Sequence, residues 1–121
     1  MWTFEQGSGE LLRGGVCVAH GYAGFGDGKG NPEKQDVRNV GPIPRGFWRI
    51  QSLTEGQTVH GPYVMRLVPE HGTEVFGRSG FLIHGDSIKN PGTASHGCII
   101  LARVAREMVW KSGDRRLEVV A

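Results

Sequence analysis

The sequence predicts a mostly-β domain, a sandwich or partly open barrel with one short helix, and three observations carry that prediction. Short apolar runs recur along the whole of its 121 residues, 20 scattered glycines and 6 prolines punctuate them, and only one stretch repeats with helical spacing. The glycines keep no three-residue period, which excludes a collagen-like chain. The length suits one hydrophobic core, and no repeat, low-complexity tract or linker divides it, so residues 1–121 read as a single domain.

Taken in order, residues 2–4, 10–13 and 16–20 read as short strands, with Gly14-Gly15 as the turn between the last two. Residues 21–32 form a glycine-rich loop, expected to be flexible and to border a cleft. Gly41-Pro42-Ile43-Pro44-Arg45-Gly46 is a rigid turn leading into the strand Phe47-Trp48-Arg49-Ile50. Further strands are expected at 63–68, closed by Pro69, and at 81–84, followed by an aperiodic loop over 85–97. Val104, Ala105, Met108 and Val109 give the helical spacing, and Gly113 after Ser112 supplies a left-handed cap. Alternation from Arg116 to Val120 closes the chain as a strand. Trp48, Tyr63 and Trp110 are expected in the core or at its rim, and Cys17, within an apolar strand, as a buried inert thiol.

Composition removes several functions. A net charge of +2 with no basic run longer than Arg115-Arg116 lacks the positive stripe of a nucleic-acid binder. The longest apolar runs are four residues, such as Ile99-Ile100-Leu101-Ala102, far short of a membrane span or a leader core, so no membrane insertion is expected. The opening residues, Met1 to Ser8, lack a basic leader segment; a protein made this way in the cytoplasm would need another carrier to act outside it. Two cysteines 81 positions apart make no disulfide framework. The segment 23–30 resembles a phosphate loop, but Gly30 stands where a Ser or Thr would bind magnesium, and Lys29 breaks the calcium pattern.

The chemistry concentrates in His84-Gly85-Asp86-Ser87 and Ser95-His96-Gly97-Cys98-Ile99. A thiol attacks as thiolate, and at a pKa of about 8.5 little of it is ionised at neutral pH, so a nearby imidazole that takes the proton is what Cys98 needs. His84 ends a strand, where a sheet can position it, and the loop after it is long enough to bring Cys98 back beside it. His96 and Cys98 alternate onto one face of an extended segment. The amides of Gly97 and Cys98 are candidate oxyanion donors, with Gly97 leaving room for a substrate carbonyl. Arg78, Asp86 and Ser95 flank the cluster as candidate binders of the charged ends of a substrate. Spacing alone leaves two other readings open: a buried structural cysteine, and a zinc site drawing on His84, His96 and Cys98 with Asp86.

The His84-Gly85 pair followed by Ser95-His96-Gly97-Cys98-Ile99 resembles the active-site signature of L,D-transpeptidases, cysteine enzymes of bacterial peptidoglycan built on a β-sandwich. Asn39 to Gly46, His60-Gly61-Pro62-Tyr63, Phe76 to Phe81 and Ser112-Gly113-Asp114-Arg115 are similar to a shorter, toxin-like branch found in type VI secretion effectors and prophage proteins, and the match covers nearly the whole chain. Ile100 stands where wall-building members carry an arginine, which again fits the toxin-like branch. The resemblance implies a β-sandwich with one short helix after the catalytic cysteine. Cys98 would be the nucleophile and His84 the general base, oriented by the Gly85 carbonyl, with His96 assisting. The substrate would be the tetrapeptide stem of peptidoglycan, cut at its L,D bond without metal or organic cofactor. The implied partners are an immunity protein and a secretion-system carrier, and the place of action is the periplasm of a target cell.

Overall fold

The computed structural model describes residues 1–121, and the protein is mostly β with a single α-helix. Eight strands form one sheet: β1 (Trp2–Glu5), β2 (Glu10–Arg13), β3 (Val16–His20), β4 (Gly46–Thr54), β5 (Val64–Pro69), β6 (Leu82–His84), β7 (Ile99–Ile100) and β8 (Arg116–Val120), with helix α1 (Arg103–Lys111) between the last two. Their spatial order is β3-β2-β1-β8-β4-β5-β6-β7. The chain's first and last strands therefore lie side by side mid-sheet, β8 running parallel to β1 (Trp2 opposite Leu117) and antiparallel to β4 (Trp48 opposite Leu117). Gly14 and Gly15 both take positive φ, 59° and 77°, the geometry a two-residue hairpin needs to match strand twist.

The sheet curls until its ends meet. Beyond β3, Tyr22 pairs with Ile100 of β7, donating to its carbonyl at 3.2 Å and accepting from its amide at 2.8 Å. This seam brings two backbones so close that a Cβ on Gly21 would overlap the Ile100 carbonyl oxygen. The enclosed core joins Trp2, Phe4, Trp48, Ile50, Met65 and Leu117 with both halves of the sheet and one side of α1. Trp48 is fully buried, donates from Nε1 to Pro44 O at 3.0 Å and meets Phe81 edge-on at 5.1 Å.

Several expectations change against the structure. β4 runs four residues past Ile50, with a bulge between Ile50 and Ser52, and Ile99–Ile100 form a strand that two apolar residues could not announce. The glycine-rich loop is ordered by two 3-10 turns, Gly26–Gly28 and Pro32–Lys34. On α1 the buried stripe is Ala105, Arg106 and Val109, while Val104 is 81% exposed. Cys17 is exposed rather than buried, because β3 is an edge strand whose first three residues all face solvent. No helix is long and apolar enough to cross a membrane.

Candidate active site

The site grows from the pairing of β6 and β7. These strands are parallel, with Ile83 opposite Ile99 and His84 opposite Ile100. Ile83 and Ile99 are buried in the core cluster and fix the pair in place. Period-two alternation then sends His84 to the opposite face, and the same register extended back one residue sets Cys98 across from Leu82 on that face. His84 and Cys98, fourteen positions apart in sequence, thus become diagonal neighbours, and both line one cleft of about 460 Å³. In this structure no hydrogen bond joins them: Cys98 Sγ donates to Gly80 O at 3.8 Å.

The imidazole of His84 is 2% exposed, and its Nδ1–H donates to the Gly85 carbonyl at 2.8 Å. A carbonyl can only accept, so this bond places the proton on Nδ1 and leaves the Nε2 lone pair free. Burial pulls the pKa of His84 below the usual histidine value; the Gly85 carbonyl and Asp86 work against this, and His60 and Arg106 add to it. Burial likewise pushes the Cys98 thiol up, opposed by the Leu82 and Cys98 amides facing the sulfur and by Arg78. Both shifts favour a neutral thiol beside a neutral imidazole.

Ser95, fully buried, is the hub of the loop that presents Cys98. Its Oγ accepts from the amides of Gly24 at 2.9 Å and Gly97 at 3.0 Å and donates to the Cys98 carbonyl at 2.6 Å. All three of its hydrogen-bonding positions are thereby used inside the protein, which leaves none for a substrate. The Gly97 amide is committed by the same contact, so of the two expected oxyanion donors only the Cys98 amide is bonded to no oxygen. Gly97 is needed for packing: with φ at 140°, a Cβ there would lie 2.6 Å from Arg78 Nη2 and 3.0 Å from Phe81.

Arg78 is 5% exposed and gives its four terminal N–H groups to the carbonyls of Gln35, Gly41, Pro42 and His96. It acts as a clamp between the 35–42 segment and the cysteine loop, not as an open hand for a ligand. Asp86 faces away from the Cys98 cleft into a second cavity shared with Tyr22 and Lys29. There it accepts from Tyr22 Oη at 2.6 Å and from the Ser87 and Gly92 amides. Burial raises the Asp86 carboxyl, but Tyr22, those amides and Lys29 outweigh it and hold the group below the usual carboxylate range. Burial first, then Asp86, pushes the Tyr22 hydroxyl up to about 12. His96 sits exposed at the cleft rim, stacked on Phe25 at 5.1 Å, with Nδ1–H donating to Asn39 O at 3.1 Å. No three His, Cys, Asp or Glu side chains group as metal ligands, so the zinc reading finds no donor set.

Arg38 and Arg106 were not singled out by sequence, and His60 only as part of the segment His60-Gly61-Pro62-Tyr63. His60 lies against His84 with ring centroids 4.6 Å apart, brought there because β5 runs antiparallel to β6 and its entry turn ends where His84 begins. Arg106, from the buried stripe of α1, donates to Pro62 O and Tyr63 O at 2.8 and 2.9 Å and packs on Gly85, where a Cβ would sit 2.9 Å from its Nη2. Arg38 lines the cleft from the turn before Gly41. Nor does the His-Gly dipeptide at 60–61 distinguish His60, because all five histidines are followed by glycine.

A search among curated proteins finds no match. A family model described as the Tlde1 domain matches residues 18–120, a span that includes every cleft residue described above.

Proposed function

The chain belongs to the Tlde1 domain family, a family of bacterial toxin/effector domains, and on that premise we propose that it is a peptidoglycan-directed cysteine acyl-transfer enzyme of the L,D-transpeptidase kind. The observation that carries this reading is the shared cleft, in which a buried imidazole with a fixed tautomer and the Cys98 thiol lie on one face of a two-strand pair.

The reaction follows from that geometry. Cys98 Sγ attacks the carbonyl of the third stem residue while its proton passes to His84 Nε2. Negative charge develops on the former carbonyl oxygen, and the Cys98 amide is the free main-chain donor at hand to meet it. The scissile C–N bond breaks as the His84 imidazolium returns the proton to the leaving nitrogen, releasing D-alanine and leaving a thioester on Cys98. The Gly85 carbonyl keeps the ring oriented through both transfers, and Arg106 packs on Gly85. Water as acceptor completes an L,D-carboxypeptidase cycle, and a free D-amino acid completes an exchange; a second stem would give a 3→3 crosslink. Hydrolysis and exchange agree better with a toxin/effector family, since they strip stems of the residue that crosslinking needs. Delivery by a secretion machine or phage release to the periplasm of a target cell, with an immunity protein in the producer, completes the reading.

The test is incubation of tetrapeptide muropeptides with the protein and with Cys98→Ala, followed by mass spectrometry. Loss of one alanine, or its replacement by an added D-amino acid, with the unaltered protein alone is the expected result. Unchanged muropeptides would overturn the proposal, as would activity that survives the substitution.

A further inference from the structure

The cleft is lined by two arginines and three histidines and by no acidic residue. A pocket of that character suits a ligand with negative charge. Of the two arginines, Arg78 is buried and spends its terminal donors on four carbonyls. Arg38 is exposed, makes one hydrogen bond, from Nη2 to Gly77 O at 3.2 Å, and enters no ion pair. Asp36, two residues before it, is felt by Arg78 but is bridged to neither arginine.

The turn that carries Arg38 is pinned on three sides. Arg38 itself holds Gly77 O, His96 holds Asn39 O, and Arg78 holds Gly41 O at 2.8 Å. Asn39 takes a left-handed φ of 63°, a conformation asparagine accepts more readily than most residues, and the turn closes through Gly41 N to Val37 O at 2.9 Å. The backbone that carries Arg38 is thus held at the rim of the cleft that holds Cys98, and the guanidinium keeps donors beyond the one spent on Gly77 O.

We propose that Arg38 reads the free carboxylate of the residue that leaves, and so restricts the site to stems ending one residue beyond the bond that is cut. The inference rests on the acyl-transfer reading above and adds its selectivity: a chain that continues past that residue offers an amide where Arg38 presents a cation. The carboxylate accepts two N–H bonds from the guanidinium, while Cys98 and His84 act on the carbonyl one residue earlier.

The experiment compares a synthetic tetrapeptide stem with its C-terminal amide, using the unaltered protein, Arg38→Gln and Arg38→Lys. Circular dichroism confirms the fold of these exposed-site variants. The unaltered protein should prefer the free acid. Arg38→Gln should lower kcat/KM on the acid by about ten- to a hundredfold, the range for charge-assisted hydrogen bonds, and move the amide by less than about threefold. Arg38→Lys should recover part of the preference. Equal cleavage of acid and amide by the unaltered protein, or an unaltered preference in Arg38→Gln, overturns the role of Arg38 while the acyl-transfer reading stands. Cleavage of neither substrate overturns both.

Discussion

Replacing Ser95 by alanine takes away one oxygen and orphans three main-chain groups: the Gly24 and Gly97 amides and the Cys98 carbonyl. Ser95 is fully buried, so bulk water does not take its place without loosening the loop. An unsatisfied buried polar group costs about 1–3 kcal/mol, which bounds three of them at roughly 3–9 kcal/mol. Relaxation of the 95–98 segment recovers part of that, and a loss of about 2–4 kcal/mol is the expected outcome, near the upper end for single substitutions. At this length it corresponds to a fall in Tm of roughly 10 °C. Urea unfolding followed by tryptophan fluorescence reads the stability, and muropeptide cleavage reads the site. Activity should fall further than the remaining folded fraction explains, because the hydroxyl also fixes the peptide that carries the thiol. A stability change under about 0.5 kcal/mol, the size expected of a bland surface substitution, would refute the hub argument.

Two pH-dependent outcomes follow from the site's electrostatics. Burial disfavours the His84 imidazolium, so kcat/KM should rise with pH along a limb centred below the ordinary histidine pKa of 6.5; His60→Gln removes a charge that adds to this depression and should move the limb upward, visible in a pH–rate profile. Burial also favours the protonated Cys98 thiol, so iodoacetamide labelling of the free protein should follow a pKa above the ordinary thiol value of about 8.5; a midpoint well below that value would refute this.

What could be read from the sequence was whatever local pattern controls. Gly14-Gly15 marked its hairpin, the rigid turn before Phe47-Trp48-Arg49-Ile50 marked the start of β4, alternation marked β8, and the His84-Gly85 and Ser95-to-Ile99 segments marked the cleft. The errors came from facts that exist only in three dimensions. Cys17 read as buried because its strand is apolar, yet a sheet edge exposes it. Arg78, Ser95 and Asp86 read as ligand binders because they are polar and near Cys98, yet each is absorbed by internal hydrogen bonds made across at least one distant segment. His60 and Arg106 gave no usable spacing, since one depends on strand order and the other on which side of α1 meets the sheet. Arg38 looked like any surface arginine until the commitment of Arg78 showed which cation at the cleft has donors to spare.

The neighbouring placement of β1 and β8 has a consequence for timing. By strand pairing, β8 joins the β1–β3 meander to the β4–β7 segment, and until it docks these are separate pieces of sheet. Tyr22, on the first piece, cannot reach Ile100, on the second, and the strand pair bearing His84 and Cys98 has no closing wall. The cleft is therefore complete only once β8 has joined the two halves, so local unfolding of that one strand would also dismantle the wall behind His84 and Cys98.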